Sequence, residues 1–332
     1  MSHSLALARN AFRGGVADDI CRVEHAVTTR DGVRLAVTDH RSQHADAPTV
    51  VLLHGLLLAQ ECWDAQVRQL RSRYGGRIRI ITYDHRGHGR STAASMWTYD
   101  VAQLASDLSD VLVAMDVSGP LTLAGHSMGG MTALAYFALP AARRPVDPQA
   151  LVLVGTAAGR IAERGIARLL ATPATGAVYG AVQHLPQRAA DRAVASIVRP
   201  LGGVLGRFCG DGTAGGAVAN VSMRNPAVTT AVGFLAGLKR YDVSHVLPSI
   251  TAETFVISGA NDVLTPPSHS RDLAAAIPGA LHLHHPTAGH MLLQDAADCV
   301  TDTIARAMGL THRRRARTGT SRSAARLAVV VS

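Results

Sequence analysis

Leu121-Thr122-Leu123-Ala124-Gly125-His126-Ser127-Met128-Gly129 is an apolar run that ends in a serine between two glycines, and residues 131–139 after it are helix-prone. This context reads as a strand, a sharp turn and a helix, with Ser127 at the turn. The missing side chains at Gly125 and Gly129 relieve crowding there, so the serine hydroxyl can stand clear of the backbone. The rival reading is a glycine-rich turn whose serine only caps the helix. Partners elsewhere in the chain must decide between them.

A serine hydroxyl becomes a useful nucleophile when a base takes its proton and an acid orients that base. Residues 254–258 (Thr-Phe-Val-Ile-Ser) read as a buried strand, and Gly-Ala-Asn-Asp after it places Asp262 on a loop at the strand's C-terminal end. A further strand at 281–284 precedes Thr-Ala-Gly-His-Met at 287–291, which puts His290 on the next loop. The order serine, aspartate, histidine is the one expected when parallel strands present catalytic loops at their carboxyl ends. Two backbone N–H groups are also needed for an oxyanion. Met128, directly after the serine, supplies one. The strand at 49–53 ends in His54-Gly55, and the glycine lets the chain turn so that the amide of Leu56, preferred over Leu57, supplies the other.

From about residue 28 to 308 the chain resembles the α/β-hydrolase family, in its serine esterase and lipase-like branch. The resemblance rests on His54-Gly55, on Asp84-His85-Arg86-Gly87-His88-Gly89-Arg90-Ser91, on the turn at 125–129, on Ser258-Gly259-Ala260-Asn261-Asp262 and on Gly289-His290. It implies an α/β fold with a mostly parallel eight-stranded sheet flanked by helices, and a Ser-Asp-His hydrolase site. It also implies that 84–91 is a structural turn beside the site, its Asp84, Arg86 and His88 forming a hydrogen-bonded loop. Serine at position 127 argues against the aspartate-dependent dehalogenase and epoxide hydrolase branches.

Alternating strands and helices predict a doubly wound layer. An Asp31-Gly32 turn between 25–30 and 33–38 predicts an antiparallel hairpin, with positive φ at both turn residues. Parallel strands follow at 49–53, 79–83, 121–124, 151–154, 254–258 and 281–284, and a helix is predicted over 99–115. About ninety residues then separate two strands, too many for an unstructured loop. We read 157–247 as a helical cap, with helical stretches at 161–170, 189–198 and 228–238 and glycine-rich hinge candidates at 202–216. The core is then 25–156 and 248–310, with an N-terminal extension at 1–24 and a basic tail at 311–332 expected to be disordered.

The 332 residues suffice for a large core, and 47% hydrophobic with 17% charged residues are globular values. Of the net charge of +9, six arginines between 313 and 326 contribute +6 with no acidic residue beside them. The excess is a tail property, so no nucleic-acid partner is expected. Weak contact of the tail with an anionic membrane surface is the alternative to a solvated terminus. Apolar runs are strand-sized and the N-terminus lacks a secretory h-region, so the expected location is cytoplasmic. Cys21, Cys62, Cys209 and Cys299 are too scattered for a zinc site or disulfide framework. His282 and His284 share a strand face, but no acid or cysteine completes a metal set. His54 and His126 read as structural or pocket-lining. Neither a cofactor nor a metal is expected.

The expectation is therefore a serine hydrolase, esterase- or lipase-like, that cleaves small-molecule carboxylic esters through an acyl-enzyme on Ser127. Lactonase, thioesterase, C–C hydrolase and perhydrolase chemistry stay open on the same three residues. A non-catalytic ligand-binding protein on this fold is the alternative from another class.

Overall fold

Short Val-, Ile- and Leu-rich stretches bounded by Gly, Pro and Asp build a nine-stranded sheet in the order β1-β2-β4-β3-β5-β6-β7-β8-β9. The computed structural model describes residues 22–44, 46–164, 227–310 and 328–330. The strands are β1 (Arg22–Thr28), β2 (Arg34–His40), β3 (Thr49–Leu53), β4 (Arg79–Tyr83), β5 (Leu121–His126), β6 (Ala150–Val154), β7 (Glu253–Gly259), β8 (Leu281–His285) and β9 (Ala328–Val330). From β4 through β8 neighbouring strands run parallel, while β1, β2 and β9 add antiparallel edges. This is the mostly parallel, helix-flanked architecture that the resemblance implies, with β9 added to the eight strands expected.

Both faces of the sheet are covered, which is why β3 reads as an unbroken apolar run and is buried at every residue. Val50 and Leu52 face one core together with Val67, Leu70 and Tyr74 of α1 (Asp64–Tyr74). Val51 and Leu53 face the other core with α2 (Val101–Ala114) and α3 (Met128–Phe137). In α2 the stripe Val101, Leu104, Ala105, Leu108, Val111 and Leu112 is buried. Each large member contributes roughly 1.5–3 kcal/mol on burial, ahead of any helix propensity. The helix starts two residues later than its apolar period suggests, because Asp100 is its cap and accepts from the Ala102 N–H at 2.8 Å.

Three sequence expectations need correction. The hairpin turn has positive φ at Gly32 alone, +87°, and not at Asp31. The Gly32 N–H donates to Thr29 O at 2.9 Å, and the Thr29 N–H to Val33 O at 2.9 Å, so the loop has three residues and a glycine bulge. Asp31 is thereby free to accept from the Thr29 hydroxyl at 2.6 Å and from Arg86. The N-terminal extension is shorter than expected, since β1 begins at Arg22 and pairs in register with His40. The tail contains β9, whose residues 328–330 pair with 282–284 of β8. The edge of β8 offers unsatisfied N–H and C=O groups, and Ala-Val-Val suits that pairing.

Most of the region expected to form a cap, 165–226, lies outside the described residues, and with it the stretch 189–198 and the glycine-rich candidates at 202–216. The stretch at 228–238 falls in α4 (Ala227–Arg240). The described residues on either side of that region meet: Gly159 bridges Asp242, and the Val243 N–H donates to Ala158 O at 2.7 Å. Helix α4 is seated on the core, with Phe234 against the rings of His88 and Tyr99 at 5.7 and 5.0 Å. The Thr230 hydroxyl donates to Gly87 O at 3.1 Å. Among the described residues no helix is long and apolar enough to cross a membrane.

Candidate active site

Ser127 sits between β5 and α3 with φ 52° and ψ −119°, a conformation that costs a non-glycine residue about 1–3 kcal/mol. Three hydrogen bonds hold it there. Its N–H donates to Val154 O at 2.9 Å, and its carbonyl accepts from the Met131 N–H at 3.1 Å and the Thr156 hydroxyl at 2.7 Å. The flanking glycines are required by contact. A Cβ on Gly125 would lie 2.4 Å from backbone atoms of Gly129, and one on Gly129 would lie 2.1 Å from Leu53 O. Met128 is the first residue of α3, where backbone N–H groups have no partner within the helix.

Asp262 and His290, 28 residues apart in the chain, are brought to this turn by the loops after β7 and β8. His290 Nδ1–H donates to Asp262 Oδ2 at 2.8 Å, and the Ser127 hydroxyl donates to His290 Nε2 at 3.1 Å. Asp262 is fixed in turn. Its Oδ1 accepts from the backbone N–H of Leu264 and Thr265 at 2.9 and 2.8 Å, and the Thr265 hydroxyl lies 2.8 Å from both Oδ2 and Gly155 O. Burial alone would raise the Asp262 pKa. The adjacent His290 and the hydrogen bonds from His290 and Thr265 outweigh it and lower the carboxyl below its ordinary value. The acid therefore stays ionised and can only accept, which holds His290 as the Nδ1–H tautomer with Nε2 open toward Ser127.

Gly55 lies against the same turn: a Cβ there would be 3.2 Å from Ser127 Cβ. His54 Nδ1–H donates to Gly55 O at 2.8 Å, and the Leu58 N–H reaches the same oxygen at 3.2 Å. In a trans peptide the N–H points opposite to the carbonyl, so anchoring Gly55 O turns the Leu56 N–H to the other side. His54 Nε2 accepts from the His85 N–H at 2.9 Å, and burial lowers the ring's pKa to about 4. Leu57 next to it has φ 62°, rare for a bulky side chain.

The loop at 84–91 is a hydrogen-bonded support. Asp84 accepts from the backbone N–H groups of Gln60 and Arg90, each at 2.9 Å. The buried Arg86 guanidinium grips Asp107 at 2.7 and 2.6 Å and Asp31 at 2.8 and 3.0 Å. The hydrogen bond from Arg86, helped by that from Thr29 and by the guanidinium charge, lowers the Asp31 carboxyl to about 2 against the opposing effect of burial. Because the folded pKa lies below the unfolded one, this stabilisation is complete above pH ~4 and is lost as pH falls toward 2. We expect Asp31→Asn to flatten that part of the curve of urea midpoint against pH; an unchanged acid slope would contradict the assignment.

Three functional features escaped the sequence reading: the Thr265 hydroxyl, the anchoring of Gly55 by His54, and the contact of His126 with His290. The Asp-x-x-Thr spacing was a usable signal for the first, since aspartates commonly accept from backbone two or three residues on. His282 and His284 both meet the Ser258 hydroxyl, at 2.8 and 2.9 Å, which accounts for their shared face. Among the described residues no group of three or more His, Cys, Asp or Glu is placed to hold a metal. Cys62 and Cys299 are free thiols, while Cys21 and Cys209 lie outside the described residues.

With a strand-turn-helix serine, a histidine and an aspartate joined across an open α/β sheet, family comparison has a clear outcome. Residues 48–297 match the family described as alpha/beta hydrolase fold, and the chain belongs to that family. It is similar to the bifunctional esterase/perhydrolase DCH of Acinetobacter calcoaceticus, 37% identical over 125 residues, which is 37% of this chain and 41% of that enzyme; the match spans less than half of the relative. Among solved structures it resembles an esterase from Exiguobacterium antarcticum, with TM-score 0.68 and 22% identity over 86% of this chain and 100% of that one. It also resembles an esterase from Thermogutta terrifontis, with TM-score 0.62 and 25% identity over 86% of this chain and 97% of that one.

Proposed function

We propose that the protein is a serine hydrolase that cleaves carboxylic esters through an acyl-enzyme on Ser127. The observation that carries this reading is the unbroken hydrogen-bonded path from Ser127 through His290 to Asp262, at 3.1 and 2.8 Å, with the serine held at φ 52°. Ser127 Oγ attacks the ester carbonyl while His290 Nε2 takes its proton, and Asp262 stabilises the imidazolium that forms. The N–H groups of Met128 and Leu56 receive the oxyanion. His290 then passes its proton to the departing alcohol. Water, activated by the same imidazole, repeats the sequence on the acyl-enzyme and frees the acid. The similarity to a bifunctional esterase/perhydrolase and to esterase structures supports ester hydrolysis, and hydrogen peroxide in place of water would yield a peracid from the same intermediate.

The test is hydrolysis of p-nitrophenyl esters from acetate to palmitate, with fluorophosphonate labelling and a Ser127→Ala control. Turnover and labelling that both require Ser127 are expected, with the chain-length profile measuring the acyl pocket. Lactone and thioester panels run beside it separate the other acyl substrates. Absence of both labelling and turnover would favour the non-catalytic, ligand-binding reading.

A further inference from the structure

His126, the residue before the nucleophile, is buried to 1% exposure yet carries two ring nitrogens that need an account. Its Nε2 lies 2.9 Å from the backbone carbonyl of His290. A carbonyl can only accept, so the proton resides on His126 Nε2. Nδ1 then carries the lone pair; it is buried without a partner and faces Gly55, where a Cβ would lie 3.1 Å away. The ring itself stands beside that of His290, with centroids 4.9 Å apart. Burial first, and the neighbouring His290 second, lower its pKa to about 3, so it remains a neutral single donor through the working pH range.

Other ties hold the loop that carries His290. Asn261 donates to Ala288 O and Thr287 O, and the Gly289 N–H donates to Asp295. These join the loop to its own end of the sheet, to the loop after β7 and the helical turn that follows. The His126 bond joins it to β5, the strand that ends at Ser127. We propose that His126 is a positioning residue that sets the distance between base and nucleophile, by fixing the His290 backbone to the strand that presents Ser127. This inference rests on the serine-hydrolase reading above. The Ser127–His290 bond at 3.1 Å spans two loops, and a shift of about 1 Å in such a pair costs on the order of 10²-fold in rate.

The experiment compares His126→Phe, which keeps ring volume and removes the donor, with His126→Gln, whose amide N–H can reach the same carbonyl. The readouts are kcat and KM on the best p-nitrophenyl ester, the rate of fluorophosphonate labelling at Ser127, and the low-field proton resonance of the His290–Asp262 bond. His126→Phe is expected to lower kcat and labelling by about 10- to 100-fold with KM within about threefold of wild type, and to broaden the resonance. His126→Gln is expected to restore both rates to within about fivefold. Wild-type rates in the Phe protein, or equal losses in folded Phe and Gln proteins, overturn the proposal. If the Phe protein does not fold, His126→Asn, too short to reach the carbonyl, takes its place with the same expected losses. Failure of wild-type labelling would instead strike the serine-hydrolase reading, and the resonance still reports whether His126 holds His290 in place.

Discussion

Ester turnover by Ser127→Ala is expected to fall by about 10⁴- to 10⁶-fold, with fluorophosphonate labelling abolished and the thermal midpoint within a few degrees of wild type. The size follows from the geometry. Deleting Oγ removes the hydroxyl that lies 3.1 Å from His290 Nε2 and is proposed to attack the carbonyl, while the backbone N–H groups of Met128 and Leu56 and the sheet that holds them are unchanged. The backbone strain at φ 52° is the same for alanine, so little stability is exchanged. Asp262→Asn acts on the same path from its other end. An amide can donate to His290 Nδ1, favouring the tautomer whose proton sits on Nε2 and blocks acceptance from serine; a loss of about 10⁴ in kcat is expected. Retention of most turnover in Ser127→Ala, measured on freshly purified protein, would remove Ser127 from the mechanism.

The largest effect on stability is expected from Arg86→Ala, about 3–5 kcal/mol, read as a drop in the urea midpoint. The Arg86 side chain is fully buried between Asp107, also fully buried, and Asp31, 37% exposed. Burial already raises the Asp107 carboxyl above its ordinary value, against the hydrogen bonds and charge of Arg86. Without the guanidinium the side-chain donor left to Asp107 among the described residues is Gln103 at 3.1 Å, and an ionised carboxylate loses the charge that compensates it. Against a total of about 5–15 kcal/mol for a domain, that is a large fraction. The sign of the pH dependence follows. With a folded pKa raised further, Asp107 favours folding below its unfolded pKa, and that benefit is lost as pH rises, so the variant should be less impaired at pH 5 than at pH 8. Joint replacement by Arg86→Met and Asp107→Leu should recover much of the loss. A cost below about 1 kcal/mol for Arg86→Ala would mean that the cluster is not a structural support.

Strand positions in this chain were readable because burial on both sheet faces leaves an unbroken apolar signature, as in β3 and β6, and because glycine and aspartate punctuate the ends. Errors arose where a local pattern meets a distant partner. Asp31-Gly32 has the composition of a two-residue turn, but a carboxylate engaged by Arg86, 55 residues away, accompanies a three-residue loop. The tail at 328–330 has a weak strand signal by itself and gains its meaning from the open edge of β8. In the candidate site, Ser127, Asp262 and His290 were readable as motifs because the roles proposed for them, nucleophile, acid and base, each call for a particular residue type next to a turn. The supports were less legible: His126 acts on a carbonyl 164 residues away, which no residue type announces, and His54 and Thr265 act one and three positions from their partners, with only the Asp-x-x-Thr spacing to signal one of them.

By itself, then, the sequence determined the places along the chain of eight of the nine described strands, the sharp turn at Ser127 and the chemistry for which the three candidate residues are suited. These depend on side-chain type and on spacing within a few residues. Tertiary structure alone decided the 3.1 and 2.8 Å contacts, the tautomer of His290, the direction of the Leu56 peptide and the pairing of Arg86 with two aspartates. Each of these is a hydrogen bond between segments 20 to more than 150 residues apart or a peptide orientation fixed by the His54 ring and the Leu58 N–H, with that ring held in turn by the His85 N–H. Its energy depends on tenths of an ångström and on exclusion of water, quantities that exist only once the chain has closed on itself.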